Sequence, residues 1–348
     1  MKLLFVPCAR AVSTEVCEAL RRYVAAGGVL VADVRPAVLA GNCAPLGHSQ
    51  LADLLGVKIG AEPKATSPLP LALKGEYRWA GGALRFTGLT LPRVVGDASV
   101  ELAGGEALGK VGETPAVICQ RQGRGLAVLL NFGLDDLGAQ REGPSVGALS
   151  DIVRALADAA DVVPQAEVIG ADGNPLPDCR LARFRYGNAI IHGILLGPSH
   201  GKPQTGVLRL AHAAHLYETR MGEYLGKSMS LPVQLVPAHG RLLCALPEKL
   251  DALRLAVPSS TRAGQEATVE IRLVGGGAAG PHLIRVHVIG PEGKLRRHYS
   301  RSLTVDGQSA GIAIPFAFND DSGAWTVEAR EVATGVRARA TLRLTPAP

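Results

Sequence analysis

Cys8, His48 and the adjacent pair Asp135 and Asp136 are the residues of this 348-residue sequence whose types and positions could do covalent or acid–base chemistry. Cys8 closes the apolar run KLLFVP. A thiol at the carboxyl end of a buried strand stands where open α/β sheets place their ligands, and it becomes a nucleophile once a histidine, for instance His48, is brought beside it by folding. The plain alternative is a buried thiol at a strand end. Asp135 and Asp136 follow an apolar strand that ends at Phe132. They could serve as an acid–base pair, or hold a cation together with Asn131; the duller reading is that they solvate a loop. His212 and His215 have HxxH spacing, but VLRLAHAAHLYE reads as a strand, where residues three apart face opposite ways, so no metal site is expected. His192, in an apolar strand, reads as a hydrogen-bonded core residue. Tyr77 and Trp79 could stack on sugar rings if exposed; in an alternating hairpin such a pair is also ordinary core. Gln122-Gly123-Arg124-Gly125 invites a phosphate reading, which a tight hairpin turn explains as well.

These residues depend on a small set of elements. KLLFVP is a short continuous apolar strand, Ser13 caps a helix whose apolar face is Val16, Ala19, Leu20, Tyr23 and Val24, Gly27 and Gly28 end it, and GVLVADV is a second buried strand. Strand, helix and strand within 34 residues make a βαβ unit with parallel strands. From Pro36 to about Pro115 an insertion follows, with a short helix over SQLADLLG and hairpins in LALKGEYRWAGGALRFTGL. PAVICQRQGRGLAVLLNF is a tight hairpin, and a helix from Ser145 to Ala160 closes the α/β domain at about residue 162. Residues 163–252 read as a small antiparallel sandwich. Residues 253–348 repeat strands at roughly ten-residue spacing, an immunoglobulin-like pattern read as seven strands with Trp325 as the core aromatic.

Charge and composition exclude several functions. The chain carries 37 Lys and Arg against 31 Asp and Glu, yet residues 1–162 balance at 16 and 16, and the surplus is spread over the rest. No aromatic-interleaved basic stripe accompanies it, so no nucleic-acid partner is expected. Lys294, Arg296, Arg297, His298 and Arg301 form the densest basic cluster and read as the solvated tip of a hairpin. No apolar run is long enough for a membrane span or a signal segment, which leads to the expectation of a cytoplasmic protein. The six cysteines are dispersed, as reduced, mostly buried thiols are. No cofactor is expected.

Tyr23, Val24, Gly27, Gly28, Leu30 and Val31 spell a YV-x-x-GG-x-LV pattern. With the segment Gln50 to Val57, and with Gly123, Arg124 and Gly125 leading into Leu129, Leu130, Asn131 and Phe132, the first 160 residues resemble the class I glutamine-amidotransferase-like trimerisation domain of glycoside hydrolase family 42 β-galactosidases. The resemblance implies a flavodoxin-like sheet, truncated here because two parallel strands and a hairpin are countable where about five parallel strands belong, followed by two β-sandwich domains. A working amidotransferase needs its Cys on a strand-to-helix elbow. The turn after GVLVADV carries Asp33, Val34, Arg35 and Pro36 instead, and Cys43 follows a loop. The glycosidase barrel is also missing, so the chain is read as the rear part of a longer protein. The expected function is therefore a non-catalytic accessory or assembly region of a carbohydrate-active, β-galactosidase-like protein, partnered as a homo-oligomer or with a separately encoded glycoside hydrolase subunit, with carbohydrate a further candidate ligand. The alternatives are a stand-alone Cys-dependent hydrolase or transferase of amidotransferase-like fold, and a carbohydrate-binding protein.

Overall fold

The computed structural model describes residues 2–133, 144–307 and 309–347, with backbone only at 144–146. The chain divides into two compact units, Met1–Val163 and Pro164–Pro348.

In the first unit β1 (Leu3–Val6), α1 (Thr14–Ala25) and β2 (Val29–Ala32) form the expected βαβ unit. Ser13 caps α1, its Oγ accepting from the Val16 N–H at 3.4 Å. The buried face of the helix is Cys17, Leu20 and Val24; Val16, expected on that face, is 50% exposed. After β3 (Val57–Ile59), the hairpin β4 (Leu69–Trp79) and β5 (Gly82–Val94), and the short strands β6 (Val100–Leu102), β7 (Glu106–Ala107), β8 (Lys110–Val111) and β9 (Thr114–Pro115), the chain enters the hairpin of β10 (Val117–Gln122) and β11 (Gly125–Leu130). The main sheet runs β1-β2-β11-β10-β7. β11 lies parallel to β2, so the second arm of the hairpin is a third parallel strand beside the two read from the sequence.

Both faces of this sheet are covered, which is why its strands read as unbroken apolar runs. Leu30, Ala32, Ala127 and Leu129 pack with α1. Val29, Val31, Val128 and Leu130 pack instead with β4, β5 and the helix α2 (Pro144–Ala159), through Leu71, Leu84, Phe86, Ile152 and Leu156. SQLADLLG forms turns rather than a helix: Ala52 N–H donates to Ser49 O and Gly56 N–H to Asp53 O, both three-residue steps, and Gly56 at φ 67° then turns the chain into β3.

The second unit is β-rich throughout. β12 (Ala166–Ile169), β13 (Cys179–Tyr186), β14 (Ala189–Leu196), β15 (Gln204–Glu218), β16 (Glu223–Leu235) and β17 (Gly240–Leu246) make one six-stranded antiparallel sheet rather than two facing sheets. The reason lies in β15, which pairs with β12 along Val207 to Leu210 and with β17 along His215 to Glu218, with an irregularity between Arg209 and Ala214.

The remaining strands form a true sandwich. β18 (Ala252–Ala256), β20 (Glu266–Val274) and β23 (Ser309–Pro315) face β19 (Ser260–Arg262), β25 (Arg337–Thr345), β24 (Gly323–Glu331), β21 (Pro281–Ile289) and β22 (Arg301–Asp306). The short β19 joins its sheet through β25 and is one strand the ten-residue rhythm does not register. Trp325 is fully buried at its centre, edge-on to Phe316 at 5.0 Å, with its indole N–H donating to Asp321 O. Tyr217, Cys244 and Leu246 of the six-stranded sheet belong to the same core, so sheet and sandwich form one unit. Arg296 of the basic cluster is not a freely solvated tip: it pairs with Glu292 and Asp321 and lies over the Trp325 ring.

Candidate functional site

The carboxyl edge of the parallel sheet is where the sequence places its chemistry. β1 and β2 are adjacent and parallel, so the residues after them, Cys8 and Asp33, emerge together. Asp33 is fully buried. Its Oδ1 accepts from the Cys8 backbone N–H at 2.6 Å, and its Oδ2 lies 3.8 Å from the Cys8 Sγ. The thiol therefore sits beside a carboxylate, whereas the usual activating base of a nucleophilic cysteine is a histidine. Beyond these two residues the chain fills its own crevice. Ala37 N–H donates to Ala9 O, Leu39 N–H to Arg10 O and Val12 N–H to Leu39 O, so the segments after β1 and after β2 run on side by side.

The backbone at this edge is strained. Cys8, Arg35, Ala37 and Cys43 all have φ between 51° and 65°, a left-handed conformation that costs a side-chain-bearing residue about 1–3 kcal/mol. What holds Arg35 there is a buried network. Its Nη1 donates to Asp97 Oδ2 at 2.7 Å and to Ser99 Oγ, and its Nη2 donates to the carbonyls of Gly60 and Ala61. Asp97 Oδ1 accepts from the N–H groups of Lys64 and Ser99. Burial works against the Asp97 charge, but the Lys64 N–H, Arg35 and Ser99 outweigh it and hold the carboxyl below its ordinary value. Asn131, at the end of β11, donates to Asp97 O and Pro115 O. The network thus ties β2, β11 and the insertion together at one edge.

The other candidates are placed as follows. His48 is exposed and its Nδ1 pairs with Leu46 O in its own loop, so its ring makes a local contact while Cys8 has Asp33. Asp135 and Asp136 lie outside the described residues. Tyr77 and Trp79, whose sugar-stacking reading requires exposure, are half-buried against the core of the first unit; the Tyr77 hydroxyl accepts from the Arg121 N–H, and the Trp79 ring lies over Gly81 and Gly82. The two glycines of the Gln122–Gly125 turn have a packing reason: Gly123 has φ 58°, and a Cβ on Gly125 would stand 2.1 Å from Val24 O at the end of α1. His212 is exposed, and His215 pairs with the Tyr224 hydroxyl at 2.7 Å. His192 is buried, but its Nδ1 has no hydrogen-bond partner among the described residues, contrary to the expectation of a hydrogen-bonded core histidine. Burial, and then the charge of Arg183, push its pKa down, so the ring is neutral at pH 7. No group of three His, Cys, Asp or Glu side chains that could hold a metal occurs among the described residues, and no helix among them is long and apolar enough to cross a membrane.

One concentration of functional side chains has no counterpart in the sequence reading. Arg285 and His287 on β21, Arg330 on β24 and Arg337 and Arg339 on β25 line one groove of the second unit. The available signal was a pair of basic residues two apart on β21 and again on β25, with the single Arg330 on β24, and it becomes informative only when the strand register is known.

No family model matches the sequence, and no curated protein matches it. The structural neighbours include three β-galactosidases, of which Gan42B is described as a glycoside hydrolase family 42 enzyme. Gan42B from G. stearothermophilus has 15% identity and a TM-score of 0.47; the enzyme from Bacillus circulans sp. alkalophilus has 15% and 0.49; the cold-adapted enzyme from Rahnella sp. R3 has 17% and 0.47. Each match covers 70% of this chain, and 32%, 33% and 32% of those chains respectively. The chain thus spans about a third of the length of the structures it matches.

Proposed function

We propose that this chain is a non-catalytic accessory and assembly region of a carbohydrate-active, β-galactosidase-like protein, joining copies of itself into a homo-oligomer or seating a separately encoded glycoside hydrolase subunit. In this reading the first unit is an amidotransferase-like domain that keeps a parallel-sheet frame and has given up the chemistry. The observation that carries it is the bonding that occupies the carboxyl edge of the sheet. At the turn after β2 two residues, Arg35 and Ala37, hold the strained conformation; Arg35 is committed to a buried ion pair with Asp97, and beyond β1 and β2 residues 9–12 and 37–39 are bonded side by side. Rigid scaffolding is what such a network supplies.

The test is light scattering on the chain alone and mixed with the glycoside hydrolase encoded beside it, run together with assays for glutamine hydrolysis and for a chromogenic β-galactoside. The expected result is a mass above the monomer or a stable complex, with no turnover of either substrate by the chain alone. A stable monomer that binds no such partner would sink the assembly reading.

A second reading is favoured by one observation: Cys8 is exposed and held at φ 51° directly after a parallel strand, as a nucleophile would be. A Cys-dependent hydrolase or transferase would show turnover that Cys8→Ser abolishes.

A further inference from the structure

The second unit carries a row of like charges that its own side chains leave unbalanced. In the sheet register Arg285 of β21 stands opposite Arg330 of β24, which stands opposite Arg337 of β25. Directly opposed residues on neighbouring strands come within about 5 Å at their Cβ atoms, and like charges there repel. The row beside it neutralises itself in part: His287 faces Glu328, and Glu328 faces Arg339 and accepts from its Nε at 3.4 Å. Glu328 is the one acid among the residues that line the groove; Arg220, from the connection between β15 and β16, adds a fifth arginine.

Two further groups point to an occupant. Arg330 Nη2 donates to the carbonyls of Thr219 and Arg220, which fixes its guanidinium plane, while its Nε is buried and has no hydrogen-bond partner among the described residues. Thr219 also lines the groove; it is about nine-tenths buried, and its Oγ1 is likewise without a partner among them. Buried donors in this condition carry a desolvation cost that a ligand acceptor removes. The groove has a volume of about 690 Å³, room for a ligand larger than a single small ion.

We propose that this groove binds a multiply charged oxyanion ligand, with Arg285, Arg330 and Arg337 as the row that meets its negative groups and the Thr219 hydroxyl as a neutral donor. Guanidinium forks suit carboxylate, sulfate and phosphate geometry, and strands about 4.8 Å apart present them at the spacing of neighbouring anionic groups on one small scaffold. The shared chemistry has two sources, a free polyanion or acid groups borne on an oligosaccharide. The site is independent of the assembly reading, which can fail without it.

Calorimetric titration of the full chain tests this with citrate, pyrophosphate and trigalacturonic acid as probes, and with a neutral galactose trisaccharide as the blank. At about 20 mM salt at least one charged probe is expected to bind and the blank is not; raising salt to about 300 mM, where charges are screened within a few ångströms, weakens binding about tenfold. Preference for citrate or pyrophosphate identifies a free polyanion, and preference for the trigalacturonate a saccharide. Arg337→Gln and Arg285→Gln are each expected to cut affinity tenfold or more while raising the melting temperature of the unliganded protein, because each removes a repulsion; that rise separates a ligand-binding role from a structural one. Thr219→Val should weaken binding severalfold with little change in melting. The proposal is overturned if no charged probe gives a titratable heat at low salt, or if both arginine variants bind as the parent does.

Discussion

The thiols give the sharpest residue-scale expectation. Cys8 and Cys43 are exposed, whereas Cys119 and Cys244 are buried. Burial, with Glu106 adding to it, pushes Cys119 up to about 12; burial, with Glu331 adding to it, does the same for Cys244. Thiolate is the reacting species, so iodoacetamide at pH 8 should modify Cys8 and Cys43 in the native protein and reach Cys119 and Cys244 only on unfolding. Peptide mass mapping reads the order directly. Cys8 labelling no faster than Cys119 or Cys244 would remove the sole support of the Cys-dependent enzyme reading. The strand-end position of Cys8 was legible in KLLFVP, because a short apolar run followed by Pro fixes where the strand stops. Its partner was not. Nothing in local sequence couples Cys8 to Asp33 across 25 positions, and the pairing exists only because β1 and β2 lie parallel with their ends in register.

At the scale of elements, the β10–β11 hairpin comes very close to the end of α1 at Gly125. A Cβ on Gly125 would meet Val24 O at 2.1 Å and Gly28 O at 2.4 Å, both backbone atoms that cannot swing away. Gly125→Ala should therefore cost about 3 kcal/mol, at the upper end of ordinary point substitutions, and a urea midpoint measured beside the parent checks it. A cost below about 0.5 kcal/mol would mean that the hairpin can slide off the helix. The elements themselves were largely readable, for a physical reason: α1 has 3.6-residue periodicity and a Ser cap, and β2 and β11 are apolar on both faces because Val29 and Leu30 pack on opposite sides of one sheet. Pairing was less readable. The hairpin sequence does not say which outer edge β11 joins, so its parallel contact with β2 was missed. For the same reason nothing in the sequence joins Arg285, Arg330 and Arg337, which fall on three different strands, while the cluster from Lys294 to Arg301 is dense along the chain itself.

Each unit of the molecule holds a buried carboxylate whose network favours its charge, Asp97 in the first and Glu331 in the second, and both contribute to how it responds to acid. In the first unit Asp97 is held below its ordinary value as described above. In the second, Glu331 is almost fully buried; burial opposes its charge, but bonding to His282, the Thr334 hydroxyl and the Thr334 N–H more than compensates, and its carboxyl is held low as well. A carboxyl whose folded pKa lies below its unfolded value stabilises the fold above the unfolded value, near 4, and loses that contribution as pH falls through the folded one. The first unit should therefore keep a flat stability from pH 7 to about 5, whereas the second should begin to lose stability below about 6.5, where the buried His192, its pKa pushed down on folding, resists the proton that the unfolded chain takes up; below about 5 each unit loses up to about 1.4 kcal/mol per pH unit for its carboxylate proton. Arg35→Met tests the origin of the effect. It strands Asp97 without its cation, which should cost about 3 kcal/mol at pH 7 and reduce the acid slope, because Asp97 then titrates nearer its unfolded value. Each unit has its own core, so the change should appear in the unfolding of Met1–Val163, while the unit containing Glu331 keeps its parent slope. Denaturant unfolding at pH 7, 5, 4 and 3, followed by amide exchange assigned to each unit, reads both quantities. An acid slope in the first unit that is unchanged in Arg35→Met would show that the ion pair does not govern its response. In that case the Lys64 and Ser99 N–H groups alone hold Asp97 ionised.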